Sequence, residues 1–577
     1  MDRRKFIKNA SVGTAASLGT VASLSSLTMG CANEGTVKNR TKRQFLLSTT
    51  EPIVQTVSGK IRGYQLDGIY TFHGIKYADA KRFQMPTPVK PWDGVQDALS
   101  FGYICPLMNQ SRPTNQVMNS HRFWPEHEDC QYLNIWTNSL DKGAKKPVMV
   151  WIHGGTFRAG SSIEIVAYDG DNMAKHQDVV FITLNHRLNI LGYLDMSSYD
   201  SKYENSVHAG IVDLVEALKW VRDNIEGFGG DPNNVTIFGQ SGGGRKSQTL
   251  LQAPAAAGLF HKVILQSGVS PWNPLSSEHH KKLISLMLGE LKIPEREYET
   301  LERVPYPVLT RAYMRARLKL NELQGEEIDP SQGQEFMPVK NDWFLGAPPF
   351  HAFSDYAKTV PVMMGSVICE NGNTPPIPDR NSLTAEKKRE LIQEVFGEDT
   401  DKLIELFQKG YPGKNELLLL DFDTNYRGNL LPWAERKVNE SNPGVPLYVY
   451  MFALEFDING GKGAWHCSDI PFTHCNAEKI PVNHMDGVMD KLESEMSGAW
   501  ASFARTGNPN HPELPVKWPE YDLENRGVMI FDKKSEVRFD HEKELVELHK
   551  KALSQRSNSR ESRRIVVSGL SDEKWIY

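Results

Sequence analysis

The strongest constraint in this sequence is a series of short, wholly apolar, β-rich runs. Val148-Met149-Val150-Trp151-Ile152 stops at a His-Gly-Gly turn; Val179 to Leu184 and Val235-Thr236-Ile237-Phe238 come next. Val263-Ile264-Leu265, Val360 to Met364 and Leu447 to Phe452 continue the series. Runs apolar on both faces are typical of buried parallel strands, which need crossover connections between them. One such crossover is plain: Ile211, Leu214, Val215, Leu218, Val221 and Ile225 share a helical face, and Gly227 to Gly230 ends it. Strand, helix, strand in this rhythm predicts an α/β fold with a large, mostly parallel twisted sheet and helices on both faces.

The apolar pattern is sustained from about residue 51 to residue 550, so one large domain is expected over 51–550. The stretch 32–50 reads as a polar tether and 551–577, with Arg556, Arg560, Arg563 and Arg564, as a peripheral tail. A net charge of −5 provides no whole-protein basic field, so a nucleic-acid partner is not expected. Residues 1–31 read as an export signal. Arg3-Arg4 sits in a basic head, and Ala10 to Met29 is a mildly apolar stretch broken by Gly13 and Gly19. That pattern resembles a twin-arginine signal; a plain membrane anchor is the alternative. Leu27-Thr28-Met29-Gly30-Cys31 resembles a lipoprotein cleavage box in which Cys31 would be acylated, although its leucine stands four rather than three residues before the cysteine. The expected location is therefore the periplasm or cell envelope, with a lipid anchor at Cys31 or simple cleavage as the two outcomes.

Two glycine-rich turns carry chemistry. Gly239-Gln240-Ser241-Gly242-Gly243 directly follows the strand ending at Phe238 and precedes the helix-capable Lys246 to Gln252. A G-x-S-x-G turn between strand and helix strains its serine and holds it at a helix N-terminus, where the dipole favours negative charge. His153-Gly154-Gly155 closes another strand. Only glycine lets backbone N–H groups approach a reacting oxygen closely, so Gly154, Gly155 and Gly242 are the expected oxyanion donors.

With these turns in place, the chain resembles the type-B carboxylesterase family of α/β-hydrolases. Gly74-Ile75-Lys76-Tyr77-Ala78, Glu128-Asp129-Cys130-Gln131-Tyr132-Leu133-Asn134, Phe228-Gly229-Gly230-Asp231-Pro232, Gln266-Ser267-Gly268 and Trp500 to Asn510 all echo family signatures. The likeness runs from about Gly59 to Tyr521. It implies the α/β-hydrolase fold, a small-molecule ester substrate, no cofactor, and a triad of Ser241, Glu370 and His466 in the chain order such enzymes use. Glu370 ends the run Gly365 to Glu370, and His466 lies in Gly463 to Phe472. His466 would accept the Ser241 proton while Glu370 fixes its tautomer. Asp469 is the competing carboxylate. The resemblance also implies a disulfide between Cys105 and Cys130.

Departures from the family pattern concern charge. Gln240 and Gly242 replace a glutamate and an alanine. Arg245 and Lys246 stand where small residues are usual, and Arg158 follows the oxyanion loop. These cations either attract an anionic substrate or pair with structural carboxylates, the second being the expectation here. A bond between Cys369 and Cys467 is conceivable. His466, Cys467, His474 and Cys475 superficially resemble zinc ligands, but the triad claims His466 and no metal is expected. Two other functions stay open: hydrolysis of a related amide, carbamate or lactone, and a catalytically silent binding protein.

The leader reading makes a prediction. Replacing Arg3-Arg4 by Lys-Lys should leave precursor in the cytoplasm, and Cys31→Ser should release active protein from the membrane fraction. Full export of the Lys-Lys variant, seen by cell fractionation, would exclude the twin-arginine route; a Cys31 variant that fractionates like the wild type would exclude lipidation.

Overall fold

Parallel strands form where apolar runs meet runs of equal character, and here seven of them do so side by side. The computed structural model describes residues 43–108, 121–271, 274–324, 336–339, 351–370, 377, 380–458 and 460–557. The leader with Arg3, Arg4 and Cys31, and Arg560, Arg563 and Arg564 of the tail, lie outside them. The central sheet consists of β1 (Phe45–Leu46), β2 (Tyr64–Leu66), β3 (Ile69–Lys76), β4 (Tyr132–Thr137), β5 (Lys146–Ile152) and β6 (Val180–Leu184). It continues with β7 (Gly230–Gln240), β8 (Lys262–Gln266), β9 (Val362–Val367), β10 (Leu447–Phe452), β11 (Gly527–Phe531) and β12 (Glu536–Phe539). Their spatial order is β1-β2-β3-β4-β6-β5-β7-β8-β9-β10-β11-β12. Pairing is parallel from β6 through β11 and antiparallel at both edges. The expected sheet is present, and each predicted run overlaps one of its buried strands, which begin at Val180 and Val362 for the runs read from Val179 and Val360.

Register carries the two glycine turns to the same place. Ile152, at the end of β5, pairs with Gly239 of β7, and Gln240 pairs with Gln266 of β8. Gln266 in turn faces Gly365 of β9. The C-terminal ends of four neighbouring strands therefore form one rim, which is where ligands bind in open α/β sheets.

The predicted crossover helix is α1 (Ala209–Asn224), ended by a 3-10 turn (Ile225–Phe228) and a left-handed Gly229 at φ 76°. Its predicted face is buried, but so are Val212, Asp213, Ala217 and Trp220 on the opposite side. The charge there is compensated: Asp213 accepts from the Arg187 guanidinium at 2.7 and 2.9 Å and from the Arg187 amide at 3.0 Å. Periodicity shows an apolar stripe and says nothing about a buried ion pair on the other side.

Two domain limits need correction. The tether was expected to last to residue 50, yet Phe45 and Leu46 pair with Leu66 and Gln65 at the sheet edge. The polar residues around them hid a two-residue strand. At the other end, the helix Lys543–Ser557 crosses the expected boundary at 550. Ala552 is buried, and His549 Nε2 stands 2.8 Å from the Leu419 carbonyl.

That last helix is preceded by Glu542, which clamps α3 (Tyr426–Glu440). Arg427 is fully buried and donates to Glu542 at 2.7 Å and to the Tyr450 carbonyl at 2.9 Å. Tyr411 adds its hydroxyl to the same carboxylate at 2.7 Å. Removing one member of a buried pair strands the other charge, at a cost of about 3–5 kcal/mol. Glu542→Ala is thus expected to lower the urea midpoint by an amount equivalent to that loss; a midpoint within about 0.5 kcal/mol of wild type would show that the pair contributes little.

Candidate active site

The nucleophile turn is held by close backbone contacts. Ser241 is the N-cap of α2 (Gly242–Gln252) and has φ 56° and ψ −122°, a conformation that costs a non-glycine residue on the order of 1–3 kcal/mol. A Cβ on Gly243 would stand 1.8 Å from the Ile152 carbonyl oxygen, and one on Gly239 2.4 Å from the same atom. A Cβ on Gly242 would meet the Thr156 nitrogen at 2.1 Å. These distances forbid any side chain, so the three glycines let the turn press onto the end of β5. Ser241 is then fixed from its other side, its amide donating to Gln266 O at 2.8 Å.

The oxyanion loop is folded against this turn. A Cβ on Gly154 would lie 3.6 Å from Ser241 Cβ, so Gly154 backs directly onto the serine. Gly155 adopts φ 81°, and its carbonyl accepts from the amides of Arg158 and Ala159 at 3.2 and 2.9 Å. The amide of Gly242 belongs to the first turn of α2, whose N–H groups have no acceptor within the helix. Of the three expected donors, Gly154 backs onto Ser241 and Gly242 follows it in the chain. Lys246 supports the loop from below, donating from Nζ to the His153 carbonyl at 3.0 Å. It is fully buried, and burial pushes its amine down to about 7. His153 stacks on His186 with centroids 5.1 Å apart, and burial together with Lys246 holds both imidazoles neutral.

His466 and Glu370 meet as expected. The imidazole Nδ1 is hydrogen-bonded to Glu370 Oε2, while Glu370 Oε1 accepts from the Val367 amide at 3.1 Å. Burial is the largest single influence on His466 and would depress it, but the charge and hydrogen bond of Glu370, with the charges of Asp469 and Asp423, together hold the imidazole above its ordinary 6.5. The competing Asp469 is engaged elsewhere, accepting from Gln266 at 3.1 Å and Tyr450 at 3.1 Å. Burial pushes its carboxyl up to about 6.

Among the described residues no hydrogen bond joins the Ser241 hydroxyl to His466, the looser geometry common in unliganded sites. Two other side chains lie against His466. Gln240 Nε2 lies 3.2 and 3.3 Å from the two ring nitrogens of His466. Tyr426 stacks on the imidazole at 5.3 Å, and its hydroxyl faces Ser241. Tyr426 is set by Asp423, whose carboxylate accepts from the amides of Asn425, Tyr426 and Arg427 at 2.9, 3.1 and 2.7 Å. Sequence reading missed both residues. The one available signal was an aspartate two to four residues before a helical run, which marks a helix start but no site.

Several expectations fail here. Neither Arg245 nor Lys246 pairs with a carboxylate among the described residues: Lys246 is satisfied by a carbonyl, and Arg158 likewise makes no ion pair there. Cys105 and Cys130, by contrast, do lie side by side as the resemblance implies, as two interacting free thiols, and burial raises the Cys130 thiol well above its ordinary range. Cys369 and Cys467 are also unbonded, because Cys467 Sγ points to Gln240 Oε1 at 3.0 Å and Cys369 Sγ to the Leu418 carbonyl. His474 turns away from His466 and packs edge-on against Trp151 at 4.3 Å. No group of three or more metal-ligating side chains occurs among the described residues.

The sequence and the fold have counterparts among known proteins. The sequence model described as "Carboxylesterase family" matches residues 50–549. The para-nitrobenzyl esterase of Bacillus subtilis (strain 168) is 31% identical over 86% of this chain and 98% of its own. The phenmedipham hydrolase of Pseudarthrobacter oxydans is 30% identical over 85% and 97%. Among solved structures, an esterase from anaerobic Clostridium hathewayi, described as able to hydrolyse aliphatic aromatic polyesters, superposes with a TM-score of 0.83. It is 46% identical and covers 89% of this chain and 100% of its own. With the family model spanning most of its length and an α/β-hydrolase sheet beneath a strained serine, the chain belongs to the carboxylesterase family and is a carboxylic ester hydrolase.

Proposed function

We propose that Ser241 is the nucleophile of this serine esterase, His466 its base and Glu370 the orienting acid. The observation that carries the assignment is the strained Ser241 at the strand–helix turn, with the His466–Glu370 pair beside it. In the first half-reaction Ser241 Oγ attacks the ester carbonyl carbon while its proton passes to His466 Nε2. The carbonyl oxygen becomes an oxyanion, received by the amides of Gly154, Gly155 and Gly242. Collapse breaks the bond to the alcohol, which leaves with the proton from His466. Water, deprotonated by the same imidazole, then attacks the acyl-enzyme and releases the acid. A turn of the Ser241 side chain from Tyr426 toward His466 would close the triad. The intact trio of residues argues against a silent binding protein.

The rest of the reading concerns location. We propose export by the twin-arginine route and retention through Cys31, supported by Arg3-Arg4 and the box ending at Cys31. One acyl chain binds a membrane only marginally, so stable retention needs the several chains of a lipoprotein. Among the described residues no helix is long and apolar enough to cross a membrane. In an oxidising compartment the neighbouring thiols of Cys105 and Cys130 would close into a disulfide.

Ser241→Ala should reduce turnover of p-nitrophenyl acetate by several orders of magnitude while leaving the circular dichroism spectrum unchanged. A fluorophosphonate should label Ser241 alone; labelling of another residue would refute the assignment. Glu370→Gln should lower kcat strongly and also move the acidic limb of the pH profile. A base must be neutral, and the Glu370 charge raises the His466 pKa, so without that charge the limb shifts to lower pH. Asp469→Asn should change the rate far less. A crippled Asp469→Asn beside a nearly unaffected Glu370→Gln would exchange their roles.

A further inference from the structure

Arg245 stands one helical turn after Ser241 on α2, and its amide donates to the Ser241 carbonyl at 3.0 Å. Arg245 therefore stands in the first turn of α2, directly after the nucleophile turn. The guanidinium is only partly exposed. Tyr426, the residue that stacks on His466 and faces Ser241, is the group that bears on it electrostatically. Among the described residues it makes no hydrogen bond and no ion pair.

Four other arginines withdrawn from solvent are paired with carboxylates, while Arg158 and Arg380 make no ion pair among the described residues, Arg380 donating instead to the Gly461 carbonyl at 2.8 Å. Arg187 binds Asp213, Arg427 binds Glu542, Arg82 binds Glu128 and Arg122 binds Asp169. An arginine carries five N–H donors, and leaving them half-desolvated without acceptors is unfavourable. Burial accordingly disfavours the charged form of Arg245. Among the described residues this cation is unpaired, and it lies one helical turn from the nucleophile.

Building on the esterase reading, we propose that Arg245 is an anion subsite that binds the free carboxylate of half-esters of dicarboxylic acids. The planar fork of an arginine matches a carboxylate in two parallel hydrogen bonds. The ester carbonyl then sits at Ser241 while the second carboxylate reaches the guanidinium. A neutral ester gains nothing from this contact.

The test compares two p-nitrophenyl esters, the glutarate half-ester and its neutral methyl diester, on purified enzyme. Wild type should show the higher kcat/KM for the half-ester, with a preference that weakens as salt is added. Arg245→Met should lower the charged-to-neutral ratio of kcat/KM about 10- to 100-fold, chiefly through KM, and Arg245→Lys less. An unchanged ratio in Arg245→Met would overturn the proposal. So would a wild-type enzyme without salt-sensitive preference, a measurement that needs no variant to fold. A ratio that responds to Arg245 only with acetate esters of carboxylated alcohols would overturn the acyl-side placement. Failure of the esterase reading itself would look different: neither ester would be turned over, and no fluorophosphonate would react at Ser241.

Discussion

Everything at this site depends on how closely two stretches of backbone approach at the end of β5. The Ile152 carbonyl oxygen lies where side chains on Gly239 and Gly243 would have to be. That contact presses the nucleophile turn onto the oxyanion loop, forces Ser241 into positive φ, and places Gly154 against its Cβ. The cost of the strained serine is met by the surrounding sheet, in which β5, β7 and β8 are buried and held in parallel register. A pre-set cluster of backbone donors of this kind needs no rearrangement as charge develops, which is where its catalytic advantage lies.

Around His466 the problem is the opposite one, an excess of like charge. Glu370, Asp423 and Asp469 are all buried near the imidazole. Three ionised carboxylates there would repel one another strongly. The structure separates their roles through hydrogen bonding and burial. Glu370 holds the imidazole and one amide. Asp423 is pushed up to about 7 by burial and the Glu370 charge, and Asp469 to about 6 by burial first. A proton on Asp423 leaves Glu370 as the principal negative charge facing the ring. These titrations are coupled, so the pH profile belongs to the cluster and not to any one residue.

The legible part of the molecule was the part written in local pattern. Apolar runs such as Val148 to Ile152 revealed the parallel strands because both faces of those strands are buried. The glycines of the two turns were readable because no other residue fits. Phe45 and Leu46 escaped notice, since a two-residue edge strand has no period. Tyr426 and Asp423 escaped for a different reason: only the pairing of β9 with β10 and the packing of α3 bring them to Ser241. The expectation that Arg245 and Lys246 meet carboxylates failed because a charged residue does not encode its partner. One ended on a carbonyl and the other on no partner at all among the described residues.

The clamp between Arg427 and Glu542 carries a consequence for how the protein is made. Tyr426, which lies against both His466 and Ser241, adjoins an arginine whose charge is answered by a residue close to the C-terminus. A nascent chain already contains the serine, the acid and the histidine long before Glu542 is synthesised. Until then α3 carries a buried guanidinium without its counter-ion, and the wall of the site behind the imidazole has no reason to settle. Settling of this wall is therefore tied to the synthesis of Glu542, a residue that follows all three reacting groups in the chain.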